Sequence, residues 1–183
     1  MDDFQYAARF LISQKYTSPA KLAINGASNG GLLVAACANQ APGLFGAVVA
    51  EVGVMDMFRF PKFTAGQFWL TEYGNPEVKQ DFEVLRTYSP LHNIMPALPN
   101  IKQLPHPATL VMTADWDDRV VPLHSFKYLA TLQLVKGKTT NKPLLGKIAV
   151  KSGHGASSYK QALVNDANRY GFIAIALGAR WFE

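Results

Sequence analysis

Apolar positions along this chain switch between two periods. Near the N-terminus Phe4, Ala7, Ala8, Leu11 and Ile12 fall on one helical face and predict a helix over about 2–16. Short continuous apolar runs predict strands over 21–26, 46–51, 108–114 and 146–151. Helix-like stretches over 29–40, 122–136 and about 157–178 separate or follow them. A region rich in proline and aromatic residues, about 52–105, interrupts the alternation and predicts short helices near 64–72 and 78–87. Strands separated by helices predict an α/β fold, a parallel sheet flanked by helices with right-handed crossovers. Repeats, low-complexity segments and a Pro/Gly/Ser linker are absent, so residues 1–183 are expected to form one domain.

Composition narrows the class. The chain has 183 residues, 49% of them apolar and 17% charged, which argues for a packed core and against disorder. Its net charge of +5 is scattered. The one basic cluster, Lys136 to Lys142, reads as an exposed helix–strand loop, so no nucleic-acid partner is expected. Gly137-Lys138-Thr139 lacks the upstream glycine of a phosphate-binding loop. The single cysteine, Cys37, rules out an internal disulfide and suits a reducing compartment. No apolar run reaches the length of a membrane span and no secretory leader is visible, so no membrane partner is expected. No histidine pairs with a carboxylate or cysteine at metal-ligand spacing, and neither a metal nor a cofactor is expected.

The chemistry-bearing pattern is Gly26-Ala27-Ser28-Asn29-Gly30, between the strand-like 21–26 and the helix-like 29–40. G-x-S-x-G in a strand–turn–helix setting is a nucleophile-elbow pattern. The small residues at 26 and 30 are expected to let strand and helix approach closely. The helix start makes the Asn29 backbone N–H a candidate oxyanion donor. Taken alone the pentapeptide is equally an ordinary turn; a serine needs a base, and the base an orienting group. Both types occur downstream in the order Ser, acid, His. The run 109–114 leads into Asp115-Trp116-Asp117-Asp118-Arg119, and 147–151 leads into Ser152-Gly153-His154-Gly155. Chemistry alone leaves Asp115, Asp117 and Asp118 open. His92, His106 and His124 lie in or beside proline-rich connections and read more plainly as structural histidines.

These segments carry a resemblance. Residues 26–35, 52–57, 88–93, 113–125 and Gly153-His154-Gly155 resemble, in order, the prolyl oligopeptidase family. The resemblance covers nearly the whole chain. It implies a cytosolic serine peptidase that cleaves short peptides after proline, with Ser28 as nucleophile, His154 as base and Asp117, first of Asp-Asp-Arg, as orienting acid. It further implies a specificity slot in which Trp69 stacks on a proline ring, Tyr73 completes the wall, Val54 and Val120 line it, and Arg119 binds a substrate carbonyl. Without the family, Trp69 and Tyr73 read as a core pair at i, i+4 spacing, and Arg119 as an ion-pair partner of Asp117 or Asp118.

The same resemblance implies the C-terminal part of a catalytic α/β-hydrolase domain, without the N-terminal strands, the β-propeller domain or a second oxyanion donor, a tyrosine hydroxyl in the family. Strand 21–26 is then expected to expose an apolar edge that invites self-association. Two other functions stay open: peptide transpeptidation or macrocyclisation by the same machinery, and a catalytically silent module that binds peptides or partners.

Overall fold

In a computed structural model that describes residues 1–94 and 104–180, ten elements alternate as the apolar pattern predicts. Helix α1 spans Asp2–Ser13, strand β1 Ala23–Ala27, helix α2 Asn29–Gln40 and strand β2 Ala47–Glu51. The excursion carries a 3₁₀ turn at Phe60–Lys62 and another at Thr64–Trp69 that runs into α3, Leu70–Tyr73. Helix α4, Lys79–Tyr88, follows, then a 3₁₀ turn at Leu91–Asn93. Strand β3 spans Ala108–Ala114, helix α5 Leu123–Lys136, strand β4 Leu144–Ala149 and helix α6 Tyr159–Leu177. The end of the predicted excursion, 95–103, lies outside the described residues.

The four strands form one parallel sheet in the order β1-β2-β3-β4, each pairing with the next. Every residue of β2 and β3 is buried, as expected of parallel strands covered on both faces. The core lies between the sheet and α2 and α5, where Val34, Cys37, Phe45, Val48, Val111, Tyr128 and Leu132 pack together. On the other face Phe172 and Ile173 of α6 pack on Val49, Leu110 and Met112. The outer strands differ: β4 exposes Leu145 and Ile148, and β1 has no strand on its outer side among the described residues.

Two element ends move for backbone reasons. The first helix stops at Ser13, because the chain turns through Lys15 at φ +61. Strand β4 begins two residues before its predicted start and ends at Ala149; Lys151 at φ +53 cannot continue an extended strand. The close approach at the serine turn needs glycine at 26 and 31, not at 30. A Cβ on Gly26 would lie 2.2 Å from the Gly30 carbonyl oxygen, and one on Gly31 2.6 Å from that of Glu51, whereas one on Gly30 meets nothing.

Candidate active site

Parallel strands deliver their C-terminal loops to one rim, and three of those loops carry the residues singled out above. Ser28 follows β1 at φ +57, ψ −118, a backbone that a serine adopts only when its surroundings impose it. Its N–H donates to the Glu51 carbonyl at 2.9 Å, which pins the turn to the end of β2. Asn29 opens α2, so its N–H is among those a helix leaves without an intrahelical acceptor.

Asp117 lies past β3 and His154 past β4. Nε2 of His154 is 3.0 Å from Ser28 Oγ, and its Nδ1 is 2.8 Å from Asp117 Oδ2. The other Asp117 oxygen accepts the backbone N–H groups of Arg119 at 3.0 Å and Val120 at 2.9 Å. One carboxylate oxygen thus shapes the loop while the other faces the imidazole. The Asp117 side chain is fully buried and that of His154 is 24% exposed, so the histidine sits deeper than its flanking glycines suggest. The two loops are stitched together: Trp116 N–H donates to the Ser152 carbonyl at 3.0 Å, and Ser152 N–H to Asp115 Oδ1 at 3.3 Å. Asp115 therefore serves the loop junction, and Asp118 is exposed.

Next to the acid loop, through Val120, lies an aromatic wall. Phe60 stacks on Trp69 with centroids 6.4 Å apart and meets Tyr73 edge-on at 5.4 Å; Trp69 and Tyr73 are themselves edge-on at 6.5 Å. Val54 and Val120 are buried in the same cluster with Leu32, Met57 and Leu85. Burial pushes the Tyr73 hydroxyl up to about 12, with the Glu72 charge adding to it, so the wall is neutral at physiological pH. Arg119 is exposed and shows no ion pair with Asp117 or Asp118; it meets the acid through its backbone N–H.

Three supporting groups escaped the sequence reading. Glu51, buried at the end of β2, accepts from Asn25 Nδ2 at 2.8 Å and from the Arg169 guanidinium at 2.6 and 2.9 Å, tying β1, β2 and α6 behind the elbow. Asp56, fully buried, accepts from the N–H groups of Phe58 and Arg59, from the Arg59 side chain and from Lys127 Nζ. Glu72 accepts from the Asn29 side chain at 3.0 Å. The Asp56 bonds to Phe58 and Arg59 are local, but Lys127, Arg169 and Asn29 lie 71, 118 and 43 residues from the acids they meet, and no local pattern announces those pairs. The remaining histidines serve the fold. His124 Nδ1 accepts from the Asp56 N–H, His92 stacks on Phe58 and bonds Ser89, and His106 bonds the Pro107 carbonyl. Among the described residues no group of three His, Cys, Asp or Glu is arranged to hold a metal ion, and no helix is long and apolar enough to cross a membrane.

Comparison with known proteins adds the remaining evidence. The profile of the prolyl oligopeptidase family matches residues 1–180. Prolyl oligopeptidase A of Amanita bisporigera is 50% identical over 182 residues, 98% of this chain and 23% of that protein. The dual function macrocyclase-peptidase POPB of Galerina marginata is 49% identical over 97% of this chain and 24% of its own length. The solved structure of prolyl oligopeptidase B from Galerina marginata, bound to a 35mer hydrolysis and macrocyclization substrate, superimposes with a TM-score of 0.88 at 48% identity, covering 99% of this chain and 25% of that one. The chain thus spans about a quarter of the length of the relatives it matches.

Proposed function

The chain belongs to the prolyl oligopeptidase family, and from that premise we propose that it carries a Ser-His-Asp acyl-transfer site for short peptides, cutting on the C-terminal side of proline. The observation that supports this most is the continuous relay from Ser28 Oγ through the two ring nitrogens of His154 to Asp117 Oδ2, at 3.0 and 2.8 Å. As Ser28 Oγ attacks the carbonyl carbon, its proton passes to His154 Nε2. Asp117 holds Nδ1–H, fixing the tautomer that leaves Nε2 free to accept and stabilising the imidazolium that forms. The Asn29 N–H donates to the oxyanion. Collapse breaks the C–N bond, and Nε2–H gives its proton to the departing amine. Water, deprotonated by the same nitrogen, then releases the acid and restores Ser28. All the acid–base steps are carried by these side chains without a cofactor.

Selection of proline falls to the aromatic wall. A proline ring has two apolar faces and no N–H donor, so Trp69 and Tyr73, with Val54 and Val120 behind them, suit it, while a lysine there would bury an unpaired charge. Arg119, exposed and without an ion pair to the acid loop, is free to meet a substrate carbonyl upstream of the proline. Transpeptidation is the second reading, favoured by the 49% identity to a macrocyclase-peptidase. Both readings share the acyl-enzyme and differ in whether water or an amine resolves it. The test is product mapping by mass spectrometry on a peptide with one internal proline. Cleavage or rejoining after proline, absent in Ser28→Ala, is the expected result; cuts at other residues overturn the specificity.

A further inference from the structure

The residue after the nucleophile has a second bond that the acyl-transfer chemistry does not use. Asn29 directs its backbone N–H toward the oxyanion position in the reading above. Its side-chain amide donates instead to Glu72 Oε1 at 3.0 Å, across 43 residues of sequence. Glu72 lies between Trp69 and Tyr73, on the single turn of α3.

That segment is held chiefly by apolar packing on its inner side. It is a 3₁₀ turn, Thr64–Trp69, followed by a four-residue helix, too short to be self-supporting. On its inner side Trp69, Leu70 and Tyr73 pack on Phe60, Val54 and Val120, with Gly66 set against the Phe60 backbone, and apolar packing of this kind is non-directional. Trp69 and Tyr73 turn toward Phe60, while Glu72 reaches the other way, to the elbow. A hydrogen bond is directional where ring packing is not. Among the described residues, the Asn29–Glu72 bond is the side-chain hydrogen bond that joins segment 64–73 to α2.

We propose that Glu72 is a positioning residue for substrate selection: its bond to Asn29 latches the wall bearing Trp69 and Tyr73 to the residue that supplies the oxyanion donor. The inference rests on the assignment of Ser28 and the slot made above. A ring seated against Trp69 must place its carbonyl on the Asn29 N–H. The latch sets the distance between slot and donor, so it acts on ligands that fill the slot and not on small reagents that reach Ser28 and the Asn29 N–H without entering it. Both partners are exposed, so the bond is of ordinary strength, and its loss should cost about three- to tenfold.

The test compares labelling rates of the intact chain with three reagents: a small fluorophosphonate, a peptidyl phosphonate ending in proline and its alanine analogue. Wild type should be labelled at Ser28 by all three, the prolyl reagent faster than the alanyl one. Glu72→Ala should lower the proline-over-alanine ratio about three- to tenfold and leave the fluorophosphonate rate unchanged, which also reports an intact fold. Glu72→Gln should restore the ratio, because its amide oxygen still accepts from Asn29. An unchanged ratio in Glu72→Ala overturns the proposal. So does a Glu72→Gln variant as impaired as Glu72→Ala, since charge and not the bond would then be responsible. Wild type unlabelled by fluorophosphonate at Ser28 overturns it by removing the nucleophile. Wild type labelled but indifferent to proline overturns it by removing the slot, and the two failures are told apart by the fluorophosphonate arm.

Discussion

The two halves of the site are built by different means. The Ser28–His154–Asp117 side hangs on backbone: strand ends of one parallel sheet, a serine turn pinned by Glu51, and acid and histidine loops stitched through Trp116 and Ser152. The slot side hangs on side chains: Phe60, Trp69 and Tyr73 against one another, and the buried Asp56 carboxylate drawing in Arg59 and Lys127. In the proposed site, sheet register sets where Ser28 and His154 meet, while packing and buried charge shape the surface beside them. The two halves should therefore fail separately and under different insults.

The largest expected effect belongs to the backbone half. Asp117→Asn keeps an oxygen for the Arg119 and Val120 N–H groups but turns an amide N–H₂ toward His154, forcing the wrong tautomer. Phosphonate labelling should fall by about 10³- to 10⁴-fold with little change in urea midpoint. An equal loss in Asp118→Asn would shift the orienting acid by one residue.

The complementary insult is Asp56→Ala. It takes the acceptor from the Phe58 and Arg59 N–H groups and the counter-charge from the half-exposed Lys127 and Arg59, and should cost about 1–3 kcal/mol in urea unfolding. Whatever remains folded should lose proline preference before it loses fluorophosphonate labelling. Loss of both in step would contradict the division.

These two halves were unequally legible in the sequence. Strand-like runs followed by Ser28, Asp117 and His154 were visible because parallel strands alternate with helices and their ends share a rim. The family resemblance was needed to choose Asp117 from its neighbours; in the structure Asp115 is occupied by Ser152 N–H and Asp118 is exposed. In the excursion the short helical stretches near 64–72 and 78–87 were legible, but not what holds them. Asp56 meets Lys127 across 71 residues and Glu51 meets Arg169 across 118, pairings that no periodicity encodes. The glycine at 31 was missed for a like reason: what it must avoid, the Glu51 carbonyl, belongs to another strand.

Acid should also separate the halves. Burial lowers His124, beside Asp56, and His106, under β3, from the ordinary 6.5 to about 4. Both are held neutral in the fold but protonate readily once unfolded. Stability is therefore full above about 6.5 and falls as pH drops from there toward 4, by on the order of a few kcal/mol. Burial alone would raise the Asp56 carboxyl, but Lys127, His92 and Arg59 outweigh it and hold it below its ordinary 3.8, so its contribution fades only at lower pH. Urea midpoints at pH 7.5 and 5 should show the loss, and His124→Asn should reduce it by about half, His106 supplying the rest. A midpoint independent of pH in this window would mean that these histidines are not held neutral by burial.

A smaller effect is expected at the wall itself. Trp69→Ala removes the flat apolar contact and should reduce the proline-over-alanine labelling ratio about tenfold, with the fluorophosphonate rate unchanged. An unchanged ratio would place the slot elsewhere and leave only the relay.

The central claim is that Ser28 is activated by His154, and covalent labelling tests it most directly. A fluorophosphonate incubated with the folded chain, followed by peptide mapping, should modify Ser28. Ser28→Ala should remain folded and unlabelled, and His154→Ala should be folded and labelled orders of magnitude more slowly. Modification at another residue, or equal labelling of wild type and Ser28→Ala, would contradict the account.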